Sequence, residues 1–253
     1  MGDQTALNTS LPRNMKQPPV GLDLPARLVA AVALMAIAAC SGDSSTTPSA
    51  PDVDPTVAPP GATTVAAADP SVGEQHFNQN CAACHQMGGT GLVGLAPSIR
   101  NRDFLAIASD DFIRKTVHSG RAGTAMIPRP DLDYSKVSEI IAYLRALKVP
   151  NPVTVTVDHD WTASGDVARG GEHFAIFCAD CHGPNGEGYV AGGSGPGIGT
   201  PGFLNVASDG YILATLQHGR LGTPMRPFIG PTGLANLTQE EVGDIIVWLR
   251  KKG

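Results

Sequence analysis

The sequence predicts an all-α protein built from two tandem domains, because it contains an internal repeat and each copy ends in a helical pattern. The closing segments place apolar residues at the i, i+3, i+4, i+7 spacing of one helix face: Val137, Ile140, Ile141 and Leu144 in the first copy, and Val242, Ile245, Ile246 and Leu249 in the second. Thr238 and Glu241 form a capping-box pattern at the start of the last helix. A strand-like pattern is confined to residues 153–157. We therefore expect helices in both domains.

The internal repeat is defined by blocks that recur at a nearly constant spacing. The block Phe-Leu-x-x-Ala-Ser-Asp begins at Phe104 and again at Phe203. Such blocks predict a first domain at 71–149 and a second domain at 164–253. Residues 150–163 then form the linker between the two domains.

The N-terminal segment 1–40 resembles an export signal. Its apolar run, 28–39, is shorter than the roughly 20 residues of a membrane-spanning helix and follows basic residues. The run ends in Ile-Ala-Ala before Cys40, which resembles the signal of bacterial lipoproteins. We expect a lipid anchor on Cys40 and a periplasmic or outer-side location; secretory cleavage near Ala39 without lipidation is the alternative. Residues 41–70 contain no aromatic residue and are rich in Ser, Thr, Pro and Ala, which predicts a flexible tether.

The composition limits both the partners and the size of the core. The net charge is −5 and basic residues form no stripe, so nucleic acid is not an expected partner. Aromatic residues make up only 5% of the chain. A domain of about 80 residues buries little apolar surface by itself. Something other than side chains is therefore expected to complete each core.

Both copies contain the sequence Cys-x-x-Cys-His, formed by Cys81, Cys84 and His85 in the first copy and by Cys178, Cys181 and His182 in the second. This is the attachment pattern of c-type haem. Two thiols one helical turn apart can reach two vinyl groups of one porphyrin, and the adjacent imidazole can then bind the iron. The sequence therefore predicts two covalently bound haem c groups, with His85 and His182 as iron ligands.

Two other uses of the four cysteines remain open at this level. A disulfide framework is compatible with an oxidising compartment, but it gives no role to the two histidines. A four-cysteine zinc site would require both copies to share one ion. Haem attachment explains the histidines and fills both cores.

From about Ser71 onwards the chain resembles class I cytochromes c, and in particular the tandem dihaem cytochromes and subunits of bacterial respiratory chains. In that family a methionine on a loop before the last helix is the second axial ligand. The resemblance places this ligand at Met126 and Met225, each in a loop rich in Gly and Pro. It also implies that Pro97 and Pro196 accept a hydrogen bond from the ligand imidazoles, although both prolines could simply mark turns.

The remaining assignments concern two arginines and four histidines. Arg121 and Arg220 are expected either to pair with haem propionates or to be exposed loop charges. His118 and His218 are the alternative axial ligands, but they do not correspond in the two copies, so we interpret them as loop or surface residues. The remaining first-helix histidines, His76 and His173, are expected to be solvated.

The resemblance implies electron transfer, since an iron held by His and Met has no open position for substrate. Redox proteins are the expected partners, either of a shuttle or of a fixed subunit in a respiratory membrane complex. The alternative is an enzyme of the dihaem peroxidase or thiosulfate-oxidising type. Those enzymes need an open or switchable haem, or a cysteine ligand.

Overall fold

The structure, a computed structural model, describes residues 67–253. The predicted signal segment 1–40, the anchor residue Cys40 and the tether up to residue 66 lie outside the described residues. Helix α1 begins at Pro70, the last residue assigned to the tether, because Asp69 caps it by accepting a hydrogen bond from the backbone N–H of Ser71.

Between residues 67 and 253 the chain forms short α-helices joined by loops. In the first copy these are α1 (Pro70–Asn80), α2 (Ala82–His85), α3 (Arg102–Ile107), α4 (Asp110–Ser119) and α5 (Tyr134–Ala146). In the second copy they are α6 (Val167–Phe177), α7 (Ala179–His182), α8 (Pro201–Leu204), α9 (Asp209–His218) and α10 (Gln239–Lys252). Two 3-10 turns lie at Met87–Gly89 and Gly188–Ala191.

The predicted all-α fold is confirmed for this part of the chain. The β pairing found there consists of two isolated bridges, Leu92 with Ala96 and Ile229 with Leu237. The strand candidate at 153–157 is wrong: the segment forms no strand, because no neighbouring segment pairs with it. None of the helices described is long and apolar enough to cross a membrane.

In each copy the first helix crosses the last at a glycine. A Cβ on Gly73 in α1 would collide with the carbonyl group of Glu139 in α5, and one on Gly170 in α6 would collide with that of Asp244 in α10. This close approach buries Phe77 and Phe174 completely. The crossed pairs α1 with α5 and α6 with α10 thus form the frame of each copy.

Aromatic pairs fill these crossings. The rings of Phe77 and Tyr143 lie 5.4 Å apart between centroids, and those of Phe174 and Trp248 lie 4.5 Å apart. The predicted apolar faces of α5 and α10 are buried, as expected from their periodicity. The predicted capping box of α10 is also present: the Thr238 hydroxyl accepts from the backbone N–H of Glu241 at 3.2 Å, and the Glu241 carboxylate accepts from the backbone N–H of Thr238 at 2.8 Å.

The two copies meet through corresponding residues. Phe112 and Tyr211 occupy equivalent positions in α4 and α9, and their rings stack at 4.3 Å. The Phe203 ring, next to Tyr211, lies 4.8 Å from the guanidinium carbon of Arg121 in the first copy. An interface in which equivalent residues face each other has the pattern of a two-fold contact between like subunits. The chain therefore folds as two similar domains joined face to face.

Candidate functional site

The first Cys-x-x-Cys-His segment lies where α1 gives way to α2. Cys81 interrupts the helix with backbone angles of φ −122° and ψ −30°, while its N–H still donates to the carbonyl of Phe77 at 2.8 Å. The N–H groups of Cys84 and His85 both donate to the carbonyl of Cys81, at 3.2 and 2.9 Å. The turn places Cys81, Cys84 and His85 close together.

The second segment repeats this geometry between α6 and α7. Cys178 has φ −122° and ψ −32°, and its N–H donates to the carbonyl of Phe174 at 2.9 Å. The N–H groups of Cys181 and His182 donate to the carbonyl of Cys178 at 3.2 and 2.9 Å. The two motifs therefore carry the same kinds of side chain on the same backbone conformation.

Burial dominates the chemistry of the leading thiol in each motif. It raises the pKa of Cys81 to about 11, although the charge of Arg129 opposes the shift. Burial, together with neighbouring Cys181, raises the pKa of Cys178 to about 12. Both groups are thus protonated at neutral pH, unlike the thiolates of reactive cysteines.

Each histidine ring is oriented by a proline carbonyl. His85 Nδ1 lies 3.1 Å from the carbonyl oxygen of Pro97, and His182 Nδ1 lies 2.8 Å from that of Pro196. Burial lowers the pKa of both imidazoles, against the opposing effect of these hydrogen bonds. The rings are therefore neutral at neutral pH, and a neutral ring that donates through Nδ1 offers Nε2 to a metal.

The loop of Met126 is a tight hairpin held by Thr124. The N–H of Arg121 donates to the carbonyl of Met126 at 2.7 Å. The Thr124 hydroxyl donates to the carbonyl of Arg121 at 2.8 Å and accepts from the N–H of Met126 at 3.1 Å. Gly120 opens the loop with φ +62°, and a Cβ there would meet the backbone of Met126. The position of the methionine is thus fixed by its own loop.

The loop of Met225 has the same bonds. The N–H of Arg220 donates to the carbonyl of Met225 at 2.6 Å, and the Thr223 hydroxyl bridges the carbonyl of Arg220 at 2.8 Å and the N–H of Met225 at 3.1 Å. Sequence reasoning did not single out the two threonines. The signal was present, since both loops read Gly-Thr-x-Met.

The two arginines that begin these loops are not exposed charges, so that alternative is wrong. Arg121 is partly buried with its guanidinium near the Phe112 and Phe203 rings, and burial lowers its pKa. Arg220 donates to the Thr215 hydroxyl at 2.9 Å and to the Tyr211 hydroxyl at 3.3 Å. The Arg121 side chain lies at the domain interface, and the Arg220 side chain is bound within the second domain.

Four other histidines were expected to lie on loops or at the surface: His76, His118, His173 and His218. Of these four, His218 alone is exposed. His118 is partly buried at the end of α4, with Nε2 3.0 Å from the carbonyl oxygen of Leu132. The expectation of solvated rings at His76 and His173 is wrong, because both rings are largely covered. His76 Nε2 lies 3.2 Å from Oε2 of Glu139 in α5, and His173 Nε2 lies 3.9 Å from Oε1 of Glu241 in α10. The helix crossing brings these groups together.

The four described cysteines form no disulfide bond. Within 67–253, no three side chains of the His, Cys, Asp or Glu type converge in a group that could hold a metal ion. A shared four-cysteine zinc site is therefore not formed by these residues.

Both sites have the donor set that haem c needs. Each offers two thiols on one turn, an imidazole with Nδ1 engaged, and a methionine on a fixed loop. The loop beside the second imidazole is shaped for close approach, because a Cβ on Gly195 would touch the ring of His182 at Cε1, 2.8 Å away. The residues present fit a covalently attached haem in each domain.

Two family descriptions match this part of the chain. Residues 68–144 match the family described as cytochrome c oxidase, cbb3-type, subunit III. Residues 167–252 match the family described as cytochrome c. The chain contains two tandem cytochrome c-type domains. The predicted family is thereby confirmed, and cytochrome c domains bind haem c covalently.

Curated relatives of this cytochrome include oxidase subunits. It is 29% identical to the cbb3-type cytochrome c oxidase subunit FixP of Azorhizobium caulinodans, over 66% of this chain and 56% of the relative. It is 27% identical to the subunit CcoP of Cereibacter sphaeroides, over 75% of this chain and 66% of the relative. The cytochrome thus spans between about half and two thirds of the length of these two relatives.

Among solved structures, the cytochrome is similar to a Kuenenia stuttgartiensis reducing HAO-like protein complex. The TM-score is 0.45 and the identity 19%, over 71% of this chain and 94% of that chain. This similarity is too distant to bear on function.

Proposed function

We propose that the chain carries two haem c groups, one in each of the domains 71–149 and 164–253, and transfers single electrons between redox partners. The observation that carries this proposal is the presence of two equivalent donor sets in one geometry. When bound, haem c supplies an iron that cycles between Fe(III) and Fe(II).

The chain's own residues fix the site and close it. Cys81 and Cys84, and likewise Cys178 and Cys181, form the thioether links. His85 and His182 bind through Nε2, while the Pro97 and Pro196 carbonyls hold the rings and increase their basicity. Met126 and Met225 would supply the second iron ligand at each site.

Two further side chains contribute charge. Arg121 and Arg220 begin the methionine loops and are the cations assigned to the propionate carboxylates. Because His and Met would take both axial positions, no position remains for a substrate, and the protein acts as a carrier.

Intact-mass measurement of protein matured in a host with haem-attachment machinery tests the proposal. We expect the added mass of two haems, and of one haem in either double variant, Cys81→Ser with Cys84→Ser or Cys178→Ser with Cys181→Ser. Replacement of Met126 or Met225 by Ala should each remove about half of the near-infrared band of methionine-ligated ferric haem. An unmodified mass, or a band that neither replacement changes, would contradict the proposal.

The dihaem peroxidase and thiosulfate-oxidising alternatives require an open site or a cysteine ligand. The equivalent methionine loops favour the carrier over both. A high-spin spectrum at one haem, with turnover of peroxide, would reverse this preference.

We further propose that the carrier works as a subunit of a larger respiratory membrane complex. The proposal is supported by the relatives, which are named as cbb3-type oxidase subunits. Co-purification of an oxidase with the cytochrome after mild detergent extraction is the expected result. Recovery of the cytochrome alone from membranes that retain active oxidase would favour a shuttle.

The attachment to the membrane is a separate proposal. We propose export by segment 1–40 and a lipid on Cys40, with the residues from 41 up to the start of α1 as the tether. Growth with a labelled fatty acid should label the wild-type protein and leave Cys40→Ser unlabelled and released in soluble form. Labelling of both would contradict the anchor.

A further inference from the structure

The first domain contacts the methionine loop of the second through two side chains. The Asp103 carboxylate accepts a hydrogen bond from the backbone N–H of Leu221 at 2.6 Å through Oδ2. The Asn101 side-chain amide donates to the carbonyl of Leu221 at 2.9 Å. Leu221 lies within the hairpin that Arg220 and Met225 close. Both backbone groups of one hairpin residue are therefore bound by the neighbouring domain.

The two side chains are themselves well fixed. Asp103 is only 3% exposed, and its Oδ1 lies 3.3 Å from Nε of Arg102, an ion-pair distance without the alignment of a hydrogen bond. The Asn101 oxygen caps α3 by accepting from the N–H groups of Asp103 and Phe104. Rigid groups of this kind transmit their position to the loop they bind.

Within residues 67–253, the first domain's own methionine loop receives no equivalent hydrogen bonds. The position that corresponds to Asp103 is Gly202, which lies against the backbone of Arg121 and Ala122 without a side chain. The position that corresponds to Asn101 is Thr200, whose hydroxyl is buried and has no hydrogen-bond partner in this part of the chain. The contact between the domains is therefore symmetric in shape and asymmetric in hydrogen bonding.

We propose that Asn101 and Asp103 are positioning residues for the second haem site, holding the loop that presents Met225 from across the domain interface. This inference rests on the proposed role of Met225 as an iron ligand. It makes the two sites unequal in hydrogen bonding: within residues 67–253 the Met225 loop accepts and donates hydrogen bonds across the domain interface, whereas the Met126 loop meets the other domain through packing alone.

The test uses the full-length haem protein in a Met126→Ala background, where the near-infrared methionine band reports the second site. Imidazole competes with methionine for the iron, so the concentration that removes half the band measures how firmly Met225 is held. Leaving a buried donor unpaired weakens the folded arrangement, and Asp103→Ala should lower this concentration about tenfold. Asp103→Asn keeps an acceptor oxygen and should restore most of the loss.

Matched variants separate positioning from general damage. Asn101→Asp keeps the cap of α3 but loses the donor to Leu221, and should also lower the imidazole midpoint. Asp111→Ala removes an exposed carboxylate of the same domain and should leave it unchanged. In a Met225→Ala background, where the band reports the first site, Asp103→Ala should have no effect.

Hydrogen exchange gives a readout that does not depend on the iron. The amide of Leu221 should exchange faster in Asp103→Ala than in the parent. Unchanged exchange together with an unchanged imidazole midpoint would overturn the inference. Absence of any methionine band in the Met126→Ala parent would instead overturn the proposed ligation by Met225, so the two failures are distinguishable.

Discussion

Arg250 in α10 and Asp209 at the start of α9 form an ion pair with 2.6 Å between Nη2 and Oδ1. The same guanidinium donates to the carbonyl of Leu204, the last residue of α8, and to that of Ala207 in the loop that follows. One side chain thus joins the closing helix to the loop between α8 and α9. In the first domain, Arg145 makes the corresponding contacts with Asp110 and neighbouring carbonyls.

Replacement of this arginine should destabilise the second domain. Arg250→Ala leaves two carbonyls without their donor and should lower the free energy of unfolding by about 2 kcal/mol, as measured by denaturant titration. Arg250→Lys should recover only part of this, because an ammonium cannot span the three acceptors as a planar guanidinium does. Lys251→Ala, at an exposed position of the same helix, should be close to neutral.

A strained residue follows the first haem-binding motif. Gln86 has φ +60° and ψ 160°, a conformation populated mainly by glycine, and the equivalent residue of the second domain is Gly183. Gln86→Gly should therefore raise the free energy of unfolding of the first domain by about 1 kcal/mol. The reverse change, Gly183→Gln, should destabilise the second domain, since its side chain would meet Glu187 and Ala191. Stabilisation by both changes would contradict this account.

The helix crossings should not tolerate a methyl group. Gly170→Ala forces α6 away from the Asp244 carbonyl and should cost about 3 kcal/mol of unfolding free energy. Gly73→Ala should have a similar cost in the first domain. Glu74→Ala, at an exposed position beside Gly73, is the control and should change stability little.

Acid should remove a stabilising contribution from Asp244. This carboxylate accepts hydrogen bonds from Arg169 Nε at 2.5 Å and from the N–H of Asp166 at 2.6 Å, and the Arg169 contact holds its pKa below the ordinary 3.8. Because the folded pKa is the lower one, the unfolded chain binds a proton first as the pH falls. The contribution is thus complete above 3.8 and is lost as the pH drops through the folded pKa.

Denaturant titration at several pH values measures this effect. The stability difference between the wild-type protein and Asp244→Asn should be largest near neutral pH and should shrink below about pH 3.8. Glu172→Gln, at an exposed position of α6, should show no such trend. A difference that is constant with pH would contradict the assigned role of the ion pair.

Local signals predicted much of the fold and of the haem sites. The helical periodicity of α5 and α10 identified residues that are buried, among them Val137 and Val242. These features are readable because spacing along one helix determines which face a residue occupies.

Contacts between distant segments left no such signal. The burial of His76 against Glu139 depends on how α1 crosses α5, and the bonds from Asn101 and Asp103 to Leu221 depend on how two domains meet. Neither can be read from the spacing of residues along the chain. The repeat shows that Asp103 in the first copy corresponds to Gly202 in the second. The consequence of this difference, however, depends on how the two domains meet.

The face-to-face contact built on Phe112 and Tyr211 joins two parts of one polypeptide. Because the two parts are covalently joined, their contact is intramolecular, so even a small interface stays formed. Fusion also fixes the ratio of the two domains at one to one. Because each copy packs against the other copy and not against one identical to itself, the two sequences can change independently. The different hydrogen bonding of the two methionine loops is an example of such a change.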